Sequence, residues 1–174
     1  IYGRFRNWKS KNIMKPSDHP GYKKTGLYGH QVDNTIIDSL IPDAVDIGHN
    51  FTSAPGSWII AHDSSLCPTK GKTIIKDTRV GNNVFLGLNS IVMPGVTIGD
   101  NVIVGAGAIV TKDIPNGELW SGNPASKIST VEEYYTKAIN KDGKSLYLLD
   151  KITDFTIQGF SKFKELYYNA KNKN

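Results

Sequence analysis

The chain holds one cysteine in 174 residues, Cys67. It can close no internal disulfide and cannot supply a zinc site built from several thiolates. No apolar run approaches the roughly 20 residues that cross a bilayer, so no integral membrane segment is expected. The first dozen residues, IYGRFRNWKSKN, are basic and aromatic and lack the apolar stretch of a secretory signal. Position 1 is Ile rather than Met, which points to a chain trimmed at its front. A cytoplasmic soluble protein is the resulting expectation.

Basic charge is scarce where a fold would need it. The net charge is +5, but residues 1–24 carry +6 and residues 161–174 carry +3, leaving −4 on the rest. Nucleic-acid binders place basic charge along their folded face, so no nucleic-acid partner is expected. Basic ends act as solvated tails or attract an anionic ligand or polymer. Hydrophobic residues at 39% and charged ones at 21% describe a packed core rather than disorder.

What is abundant is a repeat. Large aliphatic residues return every six places at Ile74, Val80, Leu86, Val92, Ile98, Val104 and Val110. A second inward position follows four residues later, at Thr78, Val84, Ser90, Val96, Val102, Ala108 and Ile114. Glycine often stands directly after the aliphatic residue, and Asn82, Asn83, Asn89, Asp100 and Asn101 recur between, where corners tolerate left-handed backbone. Ile41, Ile47, Ser53 and Ile59 form a shorter tract in the same style. No helix has a period of six, and a β-sandwich strand alternates in twos. Fixed periodicity of this kind marks a solenoid. Three hexads, or 18 residues, make one flat-sided turn of a parallel β-helix, with turns stacked about 4.8 Å apart.

The hexads, with Val104-Gly-Ala-Gly-Ala-Ile-Val-Thr-Lys-Asp-Ile-Pro115 and Gly122-Asn-Pro-Ala125, resemble the hexapeptide-repeat acyltransferases. That family includes galactoside, maltose, serine, streptogramin and capsule O-acetyltransferases. The resemblance covers roughly residues 41–128. It implies an all-β solenoid, a left-handed parallel β-helix, assembled as a homotrimer with active sites in clefts between subunits. The expected organisation is an irregular N-terminal segment 1–40, a β-helix domain 41–128 and a helical C-terminal tail 129–174. Ser129-Thr-Val-Glu-Glu133 offers a capping box for a helix starting near residue 130. Lys162, Lys164, Lys171 and Lys173 in the tail allow peripheral association with a membrane surface.

The frame slips once. Ile59 and Ile74 are 15 residues apart, so 62–73 is expected to leave the coil as a loop. Loops on rigid scaffolds are where chemistry concentrates, and His62 stands at the base of this one. In the family, a histidine at such a loop is the catalytic base, and His62-Asp63 resembles the pair in glycan O-acetyltransferases. Imidazole titrates near neutrality and can take the proton of an attacking hydroxyl. Asp63 is a candidate to orient it. His19 and His30 lie outside the repeats, His49 occupies a corner, and Cys67 is not expected to carry an acyl group. No two histidines are five apart, which disfavours a zinc-dependent carbonic anhydrase of similar fold. No metal is expected.

By the same resemblance, the arm of acetyl-CoA would run beside Gly87, Leu88 and Ala106, with Thr111 and Lys112 at its far end. Lys127 would reach a phosphate, although the usual Pro-Ala-Lys/Arg is here Pro124-Ala-Ser-Lys127. Where the family has Val-Trp-Ile-Gly, this chain has Val84-Phe85-Leu-Gly87, without an indole N–H. No helix follows Gly105-Ala-Gly107, so these glycines are not a nucleotide-fold phosphate loop. The resulting expectation is an acetyl-CoA-dependent O-acetyltransferase acting on a saccharide, such as a cell-surface polysaccharide or its precursor. Alternatives are an antibiotic or amino-sugar acceptor, or a non-catalytic β-helix used for binding.

Overall fold

The computed structural model describes residues 36–38, 40–139, 165, 168 and 169. Most of the basic N-terminal segment, including His19 and His30, and the lysines of the tail lie outside the described residues.

Short parallel strands stack into three sheets. Sheet A contains β2 (Val45–Ile47), β7 (Thr78–Val80) and β10 (Thr97–Ile98), extended by a bridge from Ile98 to Ile114. Sheet B stacks β1 (Ile36–Ile37), β4 (Trp58–Ile59), β9 (Ile91–Val92) and β12 (Ile109–Val110). Sheet C stacks β3 (Thr52–Ser53), β8 (Phe85–Leu86), β11 (Ile103–Val104) and β13 (Glu118–Ser121). The chain visits A, C and B in turn, and each circuit lays one level on the last. An antiparallel strand, β14 (Ser126–Thr130), pairs with β13 at the end of the coil.

The hexad explains why. Val80, Leu86, Val92, Ile98, Val104 and Val110 are buried, as are the second inward residues from Thr78 through Ile114. Stacked in register, they form one continuous core. Each fully buried aliphatic side chain contributes roughly 1.5–3 kcal/mol. Corners are turned by Asn50, Asn83, Asn89 and Asn101, all with φ near +55°. A ladder of amides joins the levels there: Asn50 Nδ2 donates to Asn83 Oδ1 at 2.7 Å, and Asn83 Nδ2 to Asn101 Oδ1 at 3.0 Å. Asn82 and Asp100, expected as left-handed corners, instead accept backbone N–H groups from neighbouring levels.

Three positions depart from the six-residue frame. Ile74 is exposed, because it belongs to the return strand of a hairpin outside the coil. Ile41 is exposed and Ile37 is buried in its stead, because a 3₁₀ turn at Pro42–Ala44 interrupts the count. The coil thus begins at Ile36, ahead of residue 41. The helix α2 (Val131–Ile139) starts where the capping box places it. Residues 132–174 form a second compact unit.

One core position is chemically mismatched. Thr78 Oγ1 donates to Ile60 O at 2.7 Å and Ser57 Oγ to Ala54 O at 3.0 Å, but Ser90 Oγ has no partner although fully buried. An unpaired buried hydroxyl costs about 1–3 kcal/mol. Ser90→Ala is therefore expected to raise stability by about 1 kcal/mol, whereas Leu86→Ala should lower it by about 2–5 kcal/mol. Urea denaturation of both variants checks the contrast.

Candidate active site

Between sheets B and A the chain leaves the coil once. β5 (His62–Asp63) and β6 (Ile74–Ile75) pair antiparallel, with His62 opposite Ile75. One helical turn, α1 (Cys67–Lys70), crosses the tip and ends on Gly71 with φ of +62°. Ser64 Oγ and Thr73 Oγ1 meet at 3.1 Å across the base. The expected loop is therefore an ordered hairpin.

His62 stands at its root, partly exposed, and its Nδ1 hydrogen-bonds Oδ2 of Asp38. Asp38 follows β1, one level above β4, so stacking puts it directly over the root of the hairpin. Its carboxylate is almost wholly buried. Oδ2 also accepts the N–H of Ala61 at 2.9 Å and of His62 at 3.0 Å, and Oδ1 accepts the N–H of Leu40 at 3.0 Å. Burial alone would raise the Asp38 carboxyl. The Ala61 and Leu40 N–H groups and the His62 ring outweigh it and hold the group below its ordinary 3.8. A carboxylate can only accept, so the proton of the neutral imidazole sits on Nδ1 and Nε2 keeps its lone pair.

Asp63, the expected partner, is turned elsewhere. Its Oδ1 accepts the N–H of Ser65 at 2.8 Å, and the Ser65 backbone and hydroxyl hold its carboxyl low. Asp38 was missed because it lies 24 residues from His62, inside a segment that reads as irregular. The available signal was Ile36-Ile37 followed by an acid, resembling the Trp58-Ile59 strand it stacks on.

The remaining expected site residues fall on two edges of the prism. Thr111 and Lys112 follow β12 and share the B-to-A edge with His62, two levels on, which is roughly 10 Å. Both are exposed. Gly87, Leu88 and Ala106 lie on the C-to-B edge instead. There Gly107 N–H donates to Leu88 O at 2.7 Å, and a Cβ on Gly87 would stand 2.5 Å from Ala106 N. Only glycine permits that approach. Lys127 Nζ is bound to Glu118 Oε1 at 2.7 Å, and Trp120 Nε1 donates to the other Glu118 oxygen, also at 2.7 Å. Trp120 thus spends its indole N–H inside the fold and does not substitute for the one absent at Phe85. His49 occupies the A-to-C edge, where its N–H donates to Asn82 Oδ1. Cys67 is exposed at the hairpin tip. No helix among the described residues is long and apolar enough to cross a membrane.

Residues 77–112 match the hexapeptide repeat of succinyl-transferase. The protein CapG of Staphylococcus aureus is 43% identical over 136 residues, spanning 71% of this chain and 78% of that one. Galactoside O-acetyltransferase of Escherichia coli (strain K12) is 36% identical over 110 residues, covering 59% of this chain and 53% of that one. Among solved structures, a point mutant of AntD, an N-acyltransferase from Bacillus cereus in complex with a dTDP-amino sugar and coenzyme A, superposes with a TM-score of 0.50. It is 20% identical, with 60% of this chain and 64% of that one covered, and shows the fold. The chain belongs to the hexapeptide-repeat acetyltransferases, of the type that includes the sugar O-acetyltransferases. Its coil is their left-handed β-helix.

A carboxylate held low stabilises the native state fully above the ordinary carboxylate range, and this contribution is lost as pH falls through its lower native value. Asp38→Asn should cost about 1–3 kcal/mol near neutral pH, and the gap to the parent protein should narrow in acid. Denaturation curves across that range test this; a gap unchanged down to about pH 2 would contradict it.

Proposed function

We propose that the protein transfers an acetyl group from acetyl-CoA to a saccharide hydroxyl, with His62 as general base. The observation that carries this reading is the buried Asp38 carboxylate bound to His62 Nδ1. It orients the ring, sets the tautomer and leaves Nε2 as the basic atom. As the acceptor oxygen attacks the thioester carbonyl carbon, its proton passes to Nε2. Asp38 stabilises the imidazolium so formed. The tetrahedral intermediate collapses with cleavage of the C–S bond, and the imidazolium returns the proton to the departing thiolate. The products are an O-acetyl saccharide and coenzyme A.

Family membership supports acetyl-CoA as donor and a sugar as acceptor, and the resemblance to capsule-type enzymes favours a cell-surface polysaccharide or its precursor. Thr111 and Lys112, exposed on the His62 edge, are suited to hold the nucleotide end of the donor, and Gly87, Leu88 and Ala106 its pantetheine arm. These two groups lie on different edges, and both edges border sheet B. The outward side chains favour an assembly of several copies. Sheet B presents Ile36, Trp58, Ile91 and Ile109, and sheet C presents Phe85 and Ile103, whereas sheet A presents Asp46, Arg79 and Thr97. Trp58 and Phe85 are each about two-fifths exposed, which a lone chain has little reason to keep. A homotrimer pairing a B face with the next C face covers them.

His62→Ala is expected to lower kcat by about 10²–10⁴, and Asp38→Asn to lower kcat while KM for acetyl-CoA stays within about twofold. Thiol release from acetyl-CoA with a panel of sugar acceptors reads both. Full turnover by His62→Ala would end the general-base reading. Light scattering should give three times the chain mass, and Trp58→Glu should reduce it.

A further inference from the structure

The cations of the coil are unevenly placed. From Ile36 to Val131 there are six Lys and Arg side chains, and four of them stand at 70, 72, 76 and 79. Arg79 pairs with Asp77 at 3.4 Å, and Lys127 is committed to Glu118. Lys70, Lys72, Lys76 and Lys112 have no ion pair among the described residues; the first two stand on the hairpin that carries His62, and Lys76 directly follows its return strand. The same stretch holds eight carboxylates, so three lysines within seven positions run against its general charge; of those carboxylates, Asp63 beside His62 feels the charge of Lys76.

Lys76 is the best placed of them. Its N–H donates to Ala61 O at 2.9 Å, which ties it across the hairpin from the residue before His62. Its methylene stem lies over Gly95, where an added Cβ would come within 2.9 Å of Lys76 Cδ. Gly95 also has φ of +87°, so the corner beneath the lysine suits glycine on both counts. Lys70 closes α1, and Lys72 follows the left-handed Gly71. Three exposed cations are thus held on, or directly after, an ordered hairpin whose root is the candidate base. The carboxylates of Asp43, Asp46 and Asp77 line a cavity of about 300 Å³ beside sheet A, and that cavity includes neither His62 nor these lysines.

We infer that Lys70, Lys72 and Lys76 form an anion-binding subsite beside His62, and that the acceptor is a saccharide bearing a carboxylate or a phosphate. This deepens the reading above, on which it rests. The subsite steers the acceptor to the hairpin and binds its anionic group by charge-assisted hydrogen bonds, while a hydroxyl of the same sugar meets Nε2. Such binding weakens as salt rises.

The test uses the full chain with three acceptor sets of matched stereochemistry: methyl hexosides, the corresponding methyl hexuronides, and hexose 1-phosphates. In thiol-release assays at low salt, one charged set should exceed the neutral set in kcat/KM by about tenfold or more, and the margin should shrink as salt is added. Preference for hexuronides assigns a sugar carboxylate, and preference for 1-phosphates a phosphate. The variant Lys70→Gln/Lys72→Gln/Lys76→Met, which keeps the stem over Gly95, should abolish the margin through KM. Its KM for acetyl-CoA should be unchanged. Equal use of neutral and charged sugars overturns the inference, as does a raised KM for acetyl-CoA, which would assign the lysines to the donor's phosphates. Should the parent protein turn over no acceptor, calorimetric titration with the same sugars decides the matter. Salt-sensitive binding of a charged set, lost in the variant, upholds the subsite even where the catalytic reading fails. No binding of either charged set rejects it.

Discussion

Every feature of this site depends on vertical registry. Adjacent levels bond strand to strand, with Ile36 over Trp58, Trp58 over Ile91, and Ile91 over Ile109. Registry holds because two inward side chains per hexad must meet their counterparts above and below, and a slip of one residue would turn the aliphatic set outward. A residue's address is therefore its level and its edge, not its distance along the chain. Asp38 reaches His62 for that reason alone. Two short strands stacked in register bring a carboxylate 24 positions away to the root of the hairpin.

The same rule explains what the sequence disclosed. From Thr78 to Ile114 the period is unbroken, and every predicted inward residue is buried. Corners were legible as a class but not singly. Asn83, Asn89 and Asn101 adopt left-handed backbone, while Asn82 and Asp100 tie levels together, and nothing in the spacing separates the two uses. Where the period breaks, reading fails. The 3₁₀ turn at Pro42–Ala44 shifts the frame, so Ile41 reads as inward and Ile37 escapes the count. Asp38 vanishes with that level. Asp63 draws attention by adjacency, yet neighbours along an extended strand point to opposite faces. A carboxylate next to His62 in sequence is therefore poorly placed to hold its ring, and one stacked above it is well placed.

Burial gives Asp38 its leverage. A solvated carboxylate beside an imidazole would be worth little, but this one is enclosed and accepts three backbone N–H groups besides the ring. Those donors keep it ionised where burial would otherwise favour the neutral acid. The anion is thus maintained by backbone N–H groups at the root of the hairpin and by that of Leu40. Structural and chemical duties coincide in one side chain, which couples any disturbance of the base to the fold around it.

The hairpin shows how a repeat accommodates such a device. Ile59 pairs with Val92, 33 positions on, whereas Val92 pairs with Val110 after the regular 18. The 15 additional residues leave and return at one edge, and the levels on either side stay in register. The insertion closes on itself through its own antiparallel pairing and is anchored to the coil at its root by Asp38. Its tip is free to carry charge that the inward positions of the hexads exclude. The lysines at 70, 72 and 76 can thus be varied for an acceptor without touching the column of aliphatic side chains, while His62 and Asp38, rooted in that column, cannot.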